Sequence, residues 1–130
     1  MTGSPPTPAV LQTLADLIRI NSVNPSYPSG VPESGVIDYI EAFFQHRSIK
    51  TWRQSVQPQR DNLIASISGR DRDRKMIFEA HVDTVSVDGM TIPPFDPVVR
   101  NGRMYGRGAC DTKGGLAGMM HALADVAESV

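Results

Sequence analysis

Cysteine is almost missing from this sequence. Cys110 stands alone, so no disulfide can form within the chain, and a reducing compartment is the expected setting. No apolar run approaches the length of a membrane span. The opening MTGSPPTPAV has neither the basic start nor the apolar stretch of a signal peptide. A cytoplasmic protein without a membrane partner is therefore expected. A dominant charge is lacking as well: 13 Lys and Arg face 14 Asp and Glu, the formal net charge is −1, and the signs are interspersed. No basic stripe invites nucleic acid, and no acidic tail suggests a disordered arm. Internal repeats and low-complexity tracts are also missing.

What remains is ordinary globular material, 40% hydrophobic and 21% charged over 130 residues. A chain of this size makes one domain and can bury roughly two thirds of its unfolded surface. Residues 1–8 read as a flexible, proline-rich lead. From Pro8 to about Ile20, Val10, Leu11, Leu14, Leu17 and Ile18 recur at helical spacing. NSVNPSYPSGVPES, with its three prolines, ends that helix as a loop. A second helix is expected from near Ser34, with Val36, Ile37, Ile40, Phe43 and Phe44 on one face.

Strand-like runs follow. KTWRQSV (50–56) suits an edge strand, while NLIASIS (62–68) and KMIFEAHV (75–82) flank GRDRDR, a tight, solvated hairpin turn by composition. The MIF run, apolar on both faces, suits a strand covered on both sides. Asn101-Gly102 between short apolar stretches predicts a further hairpin, since both residues tolerate positive φ. A last helix starts near Gly114, with Leu116, Met119, Met120, Leu123 and Val126 as its buried stripe. It runs to Val130 without a C-cap glycine or a proline stop, the pattern of a chain cut rather than finished. The order of elements predicts an α/β layered domain with a mixed sheet.

Two short stretches carry candidate chemistry. In FEAHVDT, His81 and Asp83 share a strand face with Glu79, so the carboxylate can hold one ring nitrogen while the other faces outward. H-x-D alone more often describes a core histidine with an acid closing the strand. In GRGACDTKGG, Asp111 stands where α/β sheets place ligands, between a strand end and a helix start. A carboxylate there can bridge two cations or simply cap the helix. The glycines could cradle a phosphate, but they lack both the P-loop ending and G-x-G-x-x-G. Cys110 reads as a small buried hydrophobe, Lys113 as half of a structural ion pair, His46 as a surface residue at a helix end, and His121 as packing or surface.

Together, A-H-V-D-T-V, P-P-F-D-P and N-G-R-M-Y-G-R-G-A-C-D-T-K-G-G-L-A resemble the dinuclear zinc amidohydrolases of the acetylornithine deacetylase, succinyl-diaminopimelate desuccinylase, aminoacylase and glutamate carboxypeptidase family. S-V-N-P (22–25) is similar to that family's opening, and the resemblance runs from about residue 9 to residue 127. It implies an incomplete three-layer α/β/α sandwich, with residues 9–130 as the N-terminal portion of a catalytic domain that lacks its dimerisation or lid domain. By resemblance, His81 binds one zinc, Asp83 is the catalytic-site acid that orients it, and Asp111 bridges both zincs. A cis Asp111–Thr112 peptide is implied too. The implied cofactor is a pair of zinc ions, with cobalt or manganese as alternatives. The implied partner is a small N-acyl amino acid or peptide substrate, cleaved at its amide bond by a parent enzyme that forms a homodimer. The family's Glu-Glu pair, a further acidic ligand and a second histidine belong downstream of the residues present. The chain alone is therefore expected to be inactive. A naturally short, non-catalytic binding module is the alternative.

Overall fold

The computed structural model describes residues 7–130. The expected lead, residues 1–8, lies outside the described residues except for Thr7 and Pro8.

Helical periodicity yields three helices. Helix α1 spans Ala9–Arg19, α2 spans Ser34–Gln45 and α3 spans Gly114–Ala127. Proline before the first turn suits α1, since the Pro8 carbonyl accepts the N–H groups of Leu11 and Gln12. All five residues expected on the inner face of α2 are buried. On α3 the buried stripe is Leu116, Ala117, Met120 and Ala124, and the expected Val126 is exposed. Small alanines let α3 approach its neighbours more closely than a stripe of long side chains would. Leu17, Val36, Ile40, Phe43, Phe44, Ile49, Leu116, Ala117 and Met120 form the core where the three helices meet, with Leu63 and Ala65 packed from the side.

The strands depart from expectation in their pairing. Strand β1 (Lys50–Gln57) pairs antiparallel with β2 (Arg60–Ser66), from Lys50 opposite Ser66 to Gln57 opposite Arg60. The turn between them is Pro58-Gln59, with Gln59 at φ 61°. NLIASIS thus uses the strand before it, and GRDRDR is not a hairpin turn. KMIFEAHV, expected to be a strand covered on both sides, has no ladder partner among the described residues, and Met76, Ile77 and Phe78 are 80%, 87% and 68% exposed. A central strand needs a neighbour on each edge, and the two-stranded sheets β1-β2 and β3-β4 supply none beside this segment. Strands β3 (Val98–Arg100) and β4 (Arg103–Tyr105) form the expected hairpin around Asn101 (φ 50°) and Gly102 (φ 72°). The α/β class holds, as helices with small antiparallel sheets. One parallel bridge, Val23 with Thr84, joins the α1–α2 loop to the H-x-D segment.

Gly106 brings the hairpin against α1. A Cβ at this position would lie 2.5 Å from Ile18 Cγ2 and 3.3 Å from the Pro94 oxygen, and Ile18 is fully buried. Gly106→Ala should therefore cost about 1–3 kcal/mol through overpacking against a β-branched side chain. Urea unfolding reads this directly, and an unchanged midpoint would show that Ile18 has room to move.

Candidate metal centre

Three segments distant in sequence build the site. The first is the extended stretch through His81 and Asp83, anchored on the α1–α2 loop. Ser22 Oγ donates to the Val82 carbonyl at 2.8 Å, Thr84 N–H donates to the Ser22 carbonyl at 2.8 Å, and Asn24 N–H donates to the Thr84 carbonyl at 2.8 Å. The loop is held in turn by Glu33, nearly buried, whose carboxylate accepts hydrogen bonds from Arg60 Nε and Nη2. The third segment is the kinked turn Ala109–Lys113, where Asp111 (φ −118°, ψ 93°) and Thr112 (φ −135°, ψ 18°) leave helical geometry. Its Asp111–Thr112 peptide is cis, as the resemblance implied. Gly108, at φ 79°, starts the turn in a left-handed conformation, and a Cβ there would lie 2.9 Å from Thr84 Cγ2. Glycine thus allows the turn to rest on the H-x-D segment.

The three expected side chains meet. His81 Nε2 lies 2.9 Å from Asp111 Oδ1, and His81 Nδ1 lies 3.0 Å from the Asp83 carbonyl oxygen and 3.3 Å from Asp83 Oδ1. Asp83 is also held from behind, since Asn24 Nδ2 donates to its Oδ2 at 2.8 Å. His81 is about half exposed and Asp111 is 82% exposed, so the site opens to solvent. Partial desolvation lowers the His81 pKa, but hydrogen bonding to Asp111 and then to the Asp83 carbonyl, with both carboxylate charges, outweighs it. The net effect holds the imidazole above its ordinary value. The two carboxylates thus favour the positively charged form of the His81 ring.

His81 and Asp111 fit a cation as part of a ligand set. Neighbouring ligands on a tetrahedral zinc are about 3.4 Å apart for bonds of about 2.1 Å. Opening the 2.9 Å Nε2–Oδ1 separation by about 0.5 Å reaches that value, and the exposed Asp111 is free to make the move. Asp111 does not cap α3, whose N-cap position makes no side-chain hydrogen bond. Among the described residues no three His, Cys, Asp or Glu side chains converge as a ligand set. Zinc sites use at least three protein ligands, so this pair is a partial set.

The expectations for Cys110 and Lys113 are corrected. Cys110 is exposed rather than buried, because the kinked turn points it away from the core. Lys113 has no acidic partner among the described residues. It is 1% exposed, and its Nζ donates to the Leu17 carbonyl at 2.7 Å and the Ile20 carbonyl at 2.8 Å, closing the C-terminal end of α1. Burial pushes its ammonium pKa down to about 8. Turned inward, the Lys113 ammonium is not presented to a phosphate at the glycine-rich turn. Glu79 and His46 are exposed. His121 is packed, its Nε2 lying 2.9 Å from Thr13 Oγ1 and its ring edge-on to Phe43. Asn24 was legible only as part of S-V-N-P; its reach to Asp83 spans 59 positions and has no local signal.

Comparison with known proteins converges on the same segment. Residues 77–130, which contain His81, Asp83 and Asp111, match peptidase family M20/M25/M40. The match covers 54 of the 130 residues, and over them the chain is similar to this family. It is 30% identical over 121 residues to a probable succinyl-diaminopimelate desuccinylase of Staphylococcus aureus (strain Mu50), covering 91% of this chain and 28% of that protein. It is 30% identical over 123 residues to the protein of the same name in Staphylococcus epidermidis (strain RP62A), covering 92% of this chain and 28% of the relative. An uncharacterized metallohydrolase of Methanocaldococcus jannaschii is 32% identical over 116 residues, covering 78% of this chain and 28% of its own length. The chain thus spans a little over a quarter of the length of these curated relatives. No helix among its described residues is long and apolar enough to cross a membrane.

Proposed function

We propose that this chain contributes one histidine and one bridging carboxylate to the metal centre of an enzyme that hydrolyses amide bonds in N-acyl amino acids or small peptides. Residues 9–130 are, in this reading, the N-terminal portion of its catalytic domain. The observation that carries the reading is His81 set between two carboxylates, with Nδ1 on Asp83 and Nε2 on Asp111. His81 Nε2 and Asp111 hold metal, and Asp111, with two oxygens and high exposure, is the shared ligand. Asp83 keeps the proton on Nδ1, orients the ring and raises its basicity. When bound, a pair of zinc ions, or cobalt or manganese in their place, supplies a polarised carbonyl and a nucleophilic water near neutral pH. The general base and remaining ligands come from residues outside the described set. Two facts support the larger assembly: the chain spans 28% of its relatives' length, and the apolar stretch Met76–Phe78 lacks cover.

An N-succinyl amino acid is the substrate class that follows from the relatives' names, and an N-acetyl amino acid is the second candidate the motif resemblance implies. The longer enzyme works as a homodimer in the cytoplasm. The single cysteine and balanced charge suit a reducing compartment and a small-molecule rather than a nucleic-acid partner.

Two measurements on the 130-residue chain test this reading. Zn2+ followed by NMR should perturb His81 and Asp111 with weak affinity, and His81→Ala should weaken binding by at least about tenfold, as expected for loss of a ligand. Hydrolysis of N-acetyl and N-succinyl amino acids should be absent. Zn2+ that leaves His81 untouched overturns the metal reading. Turnover that disappears in His81→Ala overturns the claim that the site is partial.

A further inference from the structure

Asn24 sits on the α1–α2 loop, and the metal reading makes no use of it. Its side chain is committed at both ends. Oδ1 accepts the Ser26 N–H at 2.9 Å, which fixes the orientation of the amide. Nδ2 therefore points the other way, where it donates to Asp83 Oδ2 at 2.8 Å. The other oxygen of that carboxylate lies 3.3 Å from His81 Nδ1, and His81 Nε2 meets Asp111 Oδ1 at 2.9 Å. One line of polar contacts runs from Asn24 through Asp83 and His81 to Asp111.

The main chain around Asn24 is braced in a way that suits this task. Its N–H donates to the Thr84 carbonyl at 2.8 Å, and its own carbonyl accepts the Tyr27 N–H at 3.0 Å. Gly30 packs so closely that a Cβ there would collide with the Asn24 carbonyl oxygen. Val31 N–H donates to the Val23 carbonyl at 2.9 Å, closing the loop on itself. A carboxylate turns easily about its terminal bond, because such torsions have broad wells. Holding Oδ2 leaves Oδ1 facing the ring.

We infer that Asn24 is a positioning residue of the candidate metal centre. It holds the Asp83 carboxylate so that Oδ1 joins the Asp83 carbonyl as an acceptor for the Nδ1 proton, leaving Nε2 as the ligand end. The inference rests on the reading of His81 and Asp111 as metal-holding. It acts through the ligand's orientation, where outer-shell hydrogen bonds are worth about 10–100-fold in metal affinity. A purely structural Asn24 would need only Oδ1, which makes the turn; Nδ2 does the second job. The two roles are separable by atom.

Asn24→Ser separates them. A serine oxygen still serves the Ser26 N–H as a turn acceptor but is too short to reach Asp83. The 130-residue chain, free of metal and at a pH where the His81 ring is neutral, is read by long-range 15N–1H correlation for the ring tautomer. Zn2+ alone is then titrated and followed on the same ring. The backbone amide spectrum should stay native, the Nδ1–H tautomer should lose population, and Zn2+ should bind about tenfold more weakly. An unchanged tautomer ratio in a folded Asn24→Ser chain overturns the inference. Zn2+ that never touches His81 in the unsubstituted chain overturns the metal reading instead, and the tautomer comparison still decides the role of Asn24. Should Asn24→Ser fail to fold, the unsubstituted chain decides. One Asn24 Nδ2 proton shifted downfield and slow to exchange supports the inference, and a solvent-like pair overturns it.

Discussion

Lys113→Ala should destabilise the chain by about 2–4 kcal/mol, although it removes a buried charge that costs free energy to bury. Three effects compete. Truncating a long packed stem to alanine leaves a cavity worth about 2–5 kcal/mol. The carbonyls of Leu17 and Ile20 lose their ammonium donor at about 1–3 kcal/mol each, less at Leu17, which keeps the Ile20 N–H at 3.3 Å. Against these, the fall of the lysine pKa from 10.5 to about 8 corresponds to about 3 kcal/mol of desolvation that the variant escapes. Cavity and orphaned carbonyls together win. Lys113→Met restores the stem without the donors, so the same terms nearly cancel and it should stay within about 1 kcal/mol of the native chain. Urea unfolding of the two variants measures both numbers. An alanine variant as stable as the native chain would remove Lys113 from the structural account. A methionine variant as damaged as alanine would show that the ammonium, rather than the stem, ties α3 to α1.

The second large effect concerns association. An extended apolar stretch with unpaired backbone on both edges is a template for strand addition, and Met76, Ile77 and Phe78 are the most exposed apolar run among the described residues. The 130-residue chain should self-associate as its concentration rises and bind a hydrophobic dye. Ile77→Lys combined with Phe78→Glu should abolish both. Because both side chains face solvent, unfolding free energy should move by no more than about 0.5 kcal/mol. Sedimentation velocity distinguishes the outcomes. A native chain that stays monomeric and ignores the dye would mean that this stretch is covered in solution by contacts within the chain.

The helices were legible because their signal is local. Apolar spacing over three turns marked α1 and α2 within a residue or two of Ala9–Arg19 and Ser34–Gln45. The Asn101-Gly102 turn was equally readable, since positive φ at both positions is a property of the residues themselves. Strand pairing was not legible. NLIASIS pairs with β1 through Pro58-Gln59, although GRDRDR looked the better turn. KMIFEAHV has strand composition and no partner. Composition states that a segment can pair, and only the available edges decide with what.

The candidate site divides in the same way. H-x-D in an extended segment placed Asp83 beside His81 by simple alternation, and Asp111 was visible as an acid at the edge of a glycine-rich turn. Lys113 misled, because a lysine beside an acid in a turn gives no hint that its ammonium is folded inward onto α1.

By itself the sequence determined the helices, the tight hairpin, the α/β class and the residue types able to hold a cation, because each depends on neighbours a few positions away. Only the tertiary structure decided that Asp111 meets His81 across 30 positions, that Asn24 reaches Asp83 across 59, and that Lys113 closes α1 from 93 and 96 positions away. Those contacts depend on how helices and loops pack around a shared core, and packing couples residues by distance in space, for which the order of residues along the chain has no local code.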